Sequence, residues 1–94
     1  MNVVISETAR GNMRAIRAYY VDTSPAYAKR IIESICRRFE QIARFPQSGA
    51  VVEEYSVPQI RQVIESRYRI IYRIKSSEVE ILAIRHASQS WPRH

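Results

Sequence analysis

The segment from Ser24 to Pro46 limits the fold more than any other part of the chain. Within it Ala28, Ile31, Ile32, Ile35, Cys36, Phe39, Ile42 and Ala43 recur at three- and four-residue intervals. That spacing is the signature of one apolar stripe on an α-helix. Lys29, Arg30, Glu33, Arg37, Arg38, Glu40 and Arg44 fall on the other faces. Ser24 supplies an N-cap, Pro25 suits the first helical position because its missing N–H has no partner there, and Pro46 stops the helix. A helix with one apolar stripe is stable only against a second layer, so the rest of the chain must provide one.

Upstream, Ser6 caps a second helix, with Glu7 in its first turn where a negative charge meets the positive end of the dipole. Ala9, Met13, Ile16 and Tyr20 share one side of it and Arg10, Arg14 and Arg17 another; Gly11 weakens it by about 1 kcal/mol relative to alanine. The break Asp22-Thr23-Ser24-Pro25 joins the two helices as an αα-hairpin. Asn2 to Ile5 reads as a short strand. Downstream, residues 59–64, 68–74 and 79–85 read as strands, and residues 65–67 and 75–78 are short enough to join them as antiparallel hairpins. Residues 49–57 carry the acidic pair Glu53-Glu54 and read as irregular, as does the tail from His86 to His94, polar apart from Trp91. The expected architecture is α+β in the order β-α-α-β-β-β, one domain over residues 1–94. The N-terminal strand and the αα-hairpin pack on one face of a small antiparallel sheet.

The strand Tyr68-Arg69-Ile70-Ile71-Tyr72-Arg73-Ile74 alternates in an instructive way. Tyr68, Ile70, Tyr72 and Ile74 share the face that joins the core, leaving Arg67, Arg69, Ile71, Arg73 and Lys75 on the other. The chain carries 15 basic and 9 acidic residues, a net charge of +6, and its only lysines are Lys29 and Lys75. Arginine offers a planar fork suited to phosphates and carboxylates, so the balance points to an anionic partner, nucleic acid or an acidic protein segment. The uncovered sheet face is where these arginines are expected.

Other chemistry is largely excluded. One cysteine, Cys36, permits no internal disulfide and suits a reducing compartment, the cytoplasm. No apolar run reaches membrane-spanning length, and the first residues have no basic segment of the kind that opens a signal peptide. His86 and His94 with one cysteine do not make a metal site, so neither a metal nor another cofactor is expected. There is no glycine-rich phosphate loop, and Ser88 and Ser90 beside His86 have no tail carboxylate to orient the histidine. What remains is Arg61, Arg69, Arg73 and Arg85 on the strands, with His86 at the end of the last. Metal-free RNA cleavage needs cations on the scissile phosphate and a group that moves protons near neutral pH, which histidine can be. The structural alternatives are a strand-end histidine bonded to backbone and an Arg69–Glu80 ion pair across the hairpin.

Taken in order, the motifs resemble the RelE/ParE superfamily of toxins from bacterial type II toxin–antitoxin, or plasmid-stabilisation, modules. They are Tyr19-Tyr20, Ser24-Pro25, Phe45-Pro46-Gln47-Ser48-Gly49, Ile60-Arg61, Tyr68-Arg69-Ile70-Ile71-Tyr72-Arg73 and Val79 to His86. The resemblance covers nearly the whole chain and implies the β-α-α-β-β-β fold. Its RelE branch cleaves mRNA on the ribosome; its ParE branch poisons DNA gyrase. By resemblance, Arg69 matches a basic position that RelE enzymes place on the phosphate and Arg61 a second one. Val63 stands where a further lysine is expected, Ala87 where an arginine is, and the tail has no tyrosine. His86 is common to both branches, and the Ser24-Pro25 hairpin resembles ParE. The resemblance therefore implies a ParE-like gyrase inhibitor that arrests growth until a cognate antitoxin, acidic and partly disordered, neutralises it. A RelE-like mRNA endonuclease using Arg69 and His86 is the alternative; a non-toxic nucleic-acid-binding domain is the third.

Overall fold

The structure is a computed structural model and describes residues 1–88. Trp91, Ser90 and His94 lie outside the described residues. The elements are β1 (Asn2–Ile5), α1 (Glu7–Val21), α2 (Pro25–Arg44), β2 (Ala50–Val51), β3 (Ile60–Glu65), β4 (Tyr68–Ile74) and β5 (Glu78–His86). Single 3₁₀ turns at Pro46–Ser48 and Glu53–Tyr55 flank β2. The class and the element order are those expected from the sequence.

Both helix starts follow from their caps. The Ser24 hydroxyl accepts from the Tyr27 N–H at 3.3 Å, with Pro25 opening α2. The Ser6 hydroxyl accepts from the Ala9 N–H at 3.1 Å and donates to the Leu82 carbonyl at 3.0 Å, so one side chain caps α1 and ties it to β5. The α2 stripe buries Ala28, Ile31, Ile35, Phe39 and Ile42. Cys36, placed in that stripe by the sequence, is exposed instead; one position after Ile35, it lies about 100° further round the helix. Ala9 and Ile16 of α1 are buried, with Met13 and Tyr20 packed beside them.

The sheet differs from the expected antiparallel one. Its strand order is β1-β5-β4-β3-β2, and β1 runs parallel to β5, with Asn2 opposite Glu78 and Ile5 opposite Ile81. A parallel pair needs a long crossover, and here everything between the two strands supplies it. The fifth strand, β2, comes from the segment expected to be irregular; Ala50 and Val51 pair with Gln62 and Arg61.

A β-bulge controls the last strand. Ile71 pairs with Ala83 but Tyr72 pairs with Ile81, so Leu82 is the extra residue. Strict alternation would put Ile81 and Ile84 on opposite faces. The bulge lets Val79, Ile81 and Ile84 all join the helix-side core, together with Tyr68, Ile70, Tyr72 and Val63.

Candidate target-binding surface

Strand register assigns each candidate residue to a face. Tyr68 and Ile70 belong to the helix-side core, so Arg69 between them points to the far face. Its cross-strand neighbours are Ile64 on β3 and Arg85 on β5. The Arg69 Nε donates to the Gln62 Oε1 at 2.8 Å, not to Glu80. Glu80 lies opposite Arg73 and takes the Lys75 ammonium at 3.2 Å. Arg73 is exposed on the same far face as Arg69, beyond Ile71. This face is not simply a row of cations, because Ile71 and Ala83 are 0% and 2% exposed.

Two expected members are elsewhere. Arg61 lies opposite Tyr72 and so belongs to the helix side. Its guanidinium donates to the carbonyls of Pro58 at 2.9 Å, Gln47 at 3.1 Å and Gly49 at 3.0 Å. That fork closes the loop after α2, which leaves Arg61 a structural clamp. The Tyr72 hydroxyl completes it, donating to the Pro46 carbonyl at 2.6 Å and accepting from the Gly49 N–H at 3.1 Å. Burial pushes the Tyr72 phenol up from its ordinary pKa, with the Gly49 N–H pulling the other way.

His86 also faces the helices, because it lies opposite Tyr68, one position on from the Arg69–Arg85 pair. Its ring meets Tyr68 edge to face, with centroids 5.6 Å apart. The Ser88 hydroxyl lies 2.7 Å from Nδ1 and the Ser88 N–H donates to that nitrogen at 3.2 Å. A backbone N–H can only donate, so in the neutral ring the proton is on Nε2. Arg69 and His86 therefore stand on opposite faces of the sheet and do not converge.

His86 instead borders a groove of about 470 Å³ between α1 and the end of β5, with Asn12, Ile16, Tyr19, Tyr20 and Tyr68. Tyr20 stacks edge to face on Tyr19 and Tyr27 at 4.9 and 4.8 Å, and the Tyr68 hydroxyl donates to that of Tyr20 at 3.4 Å. Burial, then the Tyr20 hydroxyl, holds the Tyr68 phenol well above the ordinary tyrosine range. Tyr19 remains 76% exposed at the mouth. Sequence reasoning placed Tyr20 in the core and did not anticipate the cluster; the Tyr19-Tyr20 pair near the end of α1 was its only visible signal. Gln62 was missed too, although period-two alternation from Val63 puts it on the Arg69 face.

A family model described as "ParE toxin of type II toxin-antitoxin system, parDE" matches residues 3–91. The chain belongs to the ParE toxin family. A curated relative, "Putative toxin Y4kP" of Sinorhizobium fredii (strain NBRC 101917 / NGR234), is 34% identical over 89 residues, covering 88% of this chain and 91% of that protein. Among solved structures, a chain of the chromosomal ParDE TA system from P. aeruginosa matches with a TM-score of 0.78. It is 22% identical over 94% of this chain and 97% of that one, a likeness of fold. The ParE fold thus carries the two faces described above. Among the described residues of this ParE-family toxin, no helix is long and apolar enough to cross a membrane.

Proposed function

We propose that this ParE-family toxin acts by binding, inhibiting DNA gyrase in the cytoplasm and arresting growth until a cognate antitoxin neutralises it. The observation that supports binding over RNA cleavage is the separation of Arg69 from His86. A proton-transfer group must come within hydrogen-bond reach of the reacting atoms while the cations hold the phosphate. His86 is the only histidine among the described residues, and it faces the helix-side groove, which Arg67 and Arg85 also line, while Arg69 points to the opposite face of the sheet.

The far face is suited to an anionic contact. Like charges directly opposite each other on neighbouring strands destabilise a sheet, and Arg69 and Arg85 are such a pair. A carboxylate or phosphate held by both offsets that repulsion, with Arg73 adding a third cation further along. Arg69, Arg73 and Arg85 are accordingly the target-binding residues in this reading; Arg61 contributes by holding its loop. The antitoxin is an acidic, partly disordered chain that folds as it binds, matched to the +6 charge of the toxin.

The test is a gyrase supercoiling assay with the purified protein, run beside mapping of mRNA ends after induced expression. Inhibition by the wild type, lost in Arg69→Ala and Arg85→Ala with folding intact, is the expected result. Intact gyrase with early cuts inside translated messages, lost in His86→Ala, would replace this reading with the nuclease. Neither effect, with salt-sensitive binding to nucleic acid, would make it a non-toxic binding domain.

A further inference from the structure

We infer that the groove between α1 and the end of β5 binds one free mononucleotide, its base against Tyr19 and its phosphate on Arg67 and Arg85. The site uses neither Arg69 nor Arg73, so it stands apart from the gyrase contact proposed for the far face. It joins three things that the sequence keeps far apart: an exposed aromatic ring on α1, an oriented amide one turn and a half earlier, and two arginines at the strand ends.

Arg67 reaches the groove through a turn. Only Ser66 and Arg67 join β3 to β4, and Ser66 takes a left-handed φ of 56°. The turn interrupts the strand alternation, so Arg67, expected beside Arg69, lines the helix-side groove instead. Its carbonyl accepts from the Ala87 N–H at 2.7 Å, which fastens the turn to the chain just beyond β5. The backbones carrying Arg67 and Arg85 are thereby held together at one end of the groove. Arg67 is exposed and enters no ion pair among the described residues.

The lining indicates the chemistry of the occupant. It contains no acidic residue, whereas Glu40 and Glu33 enter the grooves along α2. Arginines without a competing carboxylate attract an anion, and the guanidinium fork matches the paired oxygens of a phosphate. Tyr19 is the most exposed large apolar side chain among the described residues, and Tyr20 props its ring edge to face. A ring fixed in this way is a stacking platform, and every base has a π-face to lay on it. The Asn12 Oδ1 accepts from the Ile84 N–H at 2.9 Å. That bond orients the Asn12 NH₂, which has no partner among the described residues, as a donor for a base or ribose oxygen. Ile16 and Tyr68 are buried beneath and close the floor. The volume, about 470 Å³, is that of a small-molecule site and suits one nucleotide, not a run of them. A bare anion would leave Tyr19 and Asn12 unused, and an uncharged aromatic ligand would leave the arginines unused.

The experiment is an amide NMR titration of the full chain with AMP, beside adenosine, inorganic phosphate and a 5′-phosphorylated adenine oligonucleotide. Because stacking tolerates any base, AMP is a fair probe of the class. Expected are saturable shifts at Asn12, Tyr19, Arg67 and His86, with AMP bound about tenfold or more tighter than adenosine or phosphate alone. Tyr19→Ala and Arg67→Glu, both changes at exposed positions, should each weaken AMP about tenfold while the rest of the spectrum stays native. Tyr19→Phe keeps the ring and should bind as the wild type does; Arg69→Ala should also leave AMP binding unchanged. No binding of AMP, equal binding of AMP and phosphate, or full binding by Arg67→Glu would overturn the inference. Shifts centred on Arg69 and Arg73 would place the phosphate on the far face and overturn it too. An oligonucleotide bound more than about tenfold tighter than AMP, with a steep loss in salt, would assign the groove to a nucleic-acid strand and refute the free nucleotide.

Discussion

Replacing Gly49 with alanine should be among the most damaging single-methyl changes in the protein. Its φ of −77° is open to any residue, so the reason is space and not backbone conformation. A Cβ there would lie 2.5 Å from the Tyr72 hydroxyl, 2.7 Å from the Gln62 carbonyl and 3.1 Å from the Tyr72 ring. Two of these are closer than real Cβ contacts allow, and neither Tyr72 nor the β3 backbone is free to retreat. Tyr72 is fully buried, and its hydroxyl holds two hydrogen bonds to the loop. Losing both removes about 0.5–1.5 kcal/mol each, and the overpacking adds about 1–3 kcal/mol. The sum, about 2–6 kcal/mol, is a large part of the roughly 5–14 kcal/mol expected for a chain of this length. A small domain loses about 4–8 °C in Tm per kcal/mol, so a fall of about 8–48 °C is expected by circular dichroism. Tyr72→Phe supplies the control. It removes the closest contact but leaves that with Gln62, so the penalty of Gly49→Ala should shrink in that background without vanishing. A fall of less than about 4 °C, or strict additivity of the two changes, would refute the clamp.

Three further outcomes follow from the same geometry. Arg61→Lys cannot reach three carbonyls with one ammonium and should lower stability by about 1–3 kcal/mol in urea unfolding; unchanged stability with lost gyrase inhibition would return Arg61 to the target surface. Ser6→Ala removes the cap of α1 and the bond to Leu82 and should cost about 1–2 kcal/mol, while Ser6→Thr should retain most of it, read by the same unfolding curves. Tyr68 and Tyr72 keep their protons in the folded state at pH values where the unfolded chain gives them up. Their contribution to stability is therefore present below pH ~10 and lost as pH rises through the folded values. Tm measured from pH 8 upwards should decline above pH ~10, less steeply in Tyr68→Phe; a flat profile would contradict the burial.

The helices were legible because their signals are local. Ser6, Ser24 and Pro25 act within one turn, and each cap is observed where the sequence put it. The alternation of β4 was legible for the same reason, since no bulge interrupts that strand. On β5 it failed at Leu82. Counted back from His86 by twos, Val79 and Ile81 would face away from the core; only the inserted residue reconciles them with Ile84, and nothing in Val79 to His86 marks it. The same shift puts His86 on the side opposite Arg69, so the bulge undid the expected meeting of arginines and histidine. Arg61 was misplaced because its partners, Gln47, Gly49 and Pro58, are backbone carbonyls, to which side-chain type gives no clue. The parallel pairing of β1 with β5 was hidden by its range, since propensity and turn length describe neighbours and not the two ends of a chain.

That long-range pairing also sets a timetable for synthesis. β1 finds its sheet partner when residues 78–81 exist, so at roughly 5–20 residues per second it waits roughly 4–15 s after emerging. The helical hairpin, built from local contacts, can form in microseconds once Arg44 has been made and precedes the sheet for about half of that interval. Arg85 arrives later still, and with it the Arg69–Arg85 pair. A nascent chain therefore displays its apolar helix stripe to any partner well before the surface proposed to arrest growth has been made.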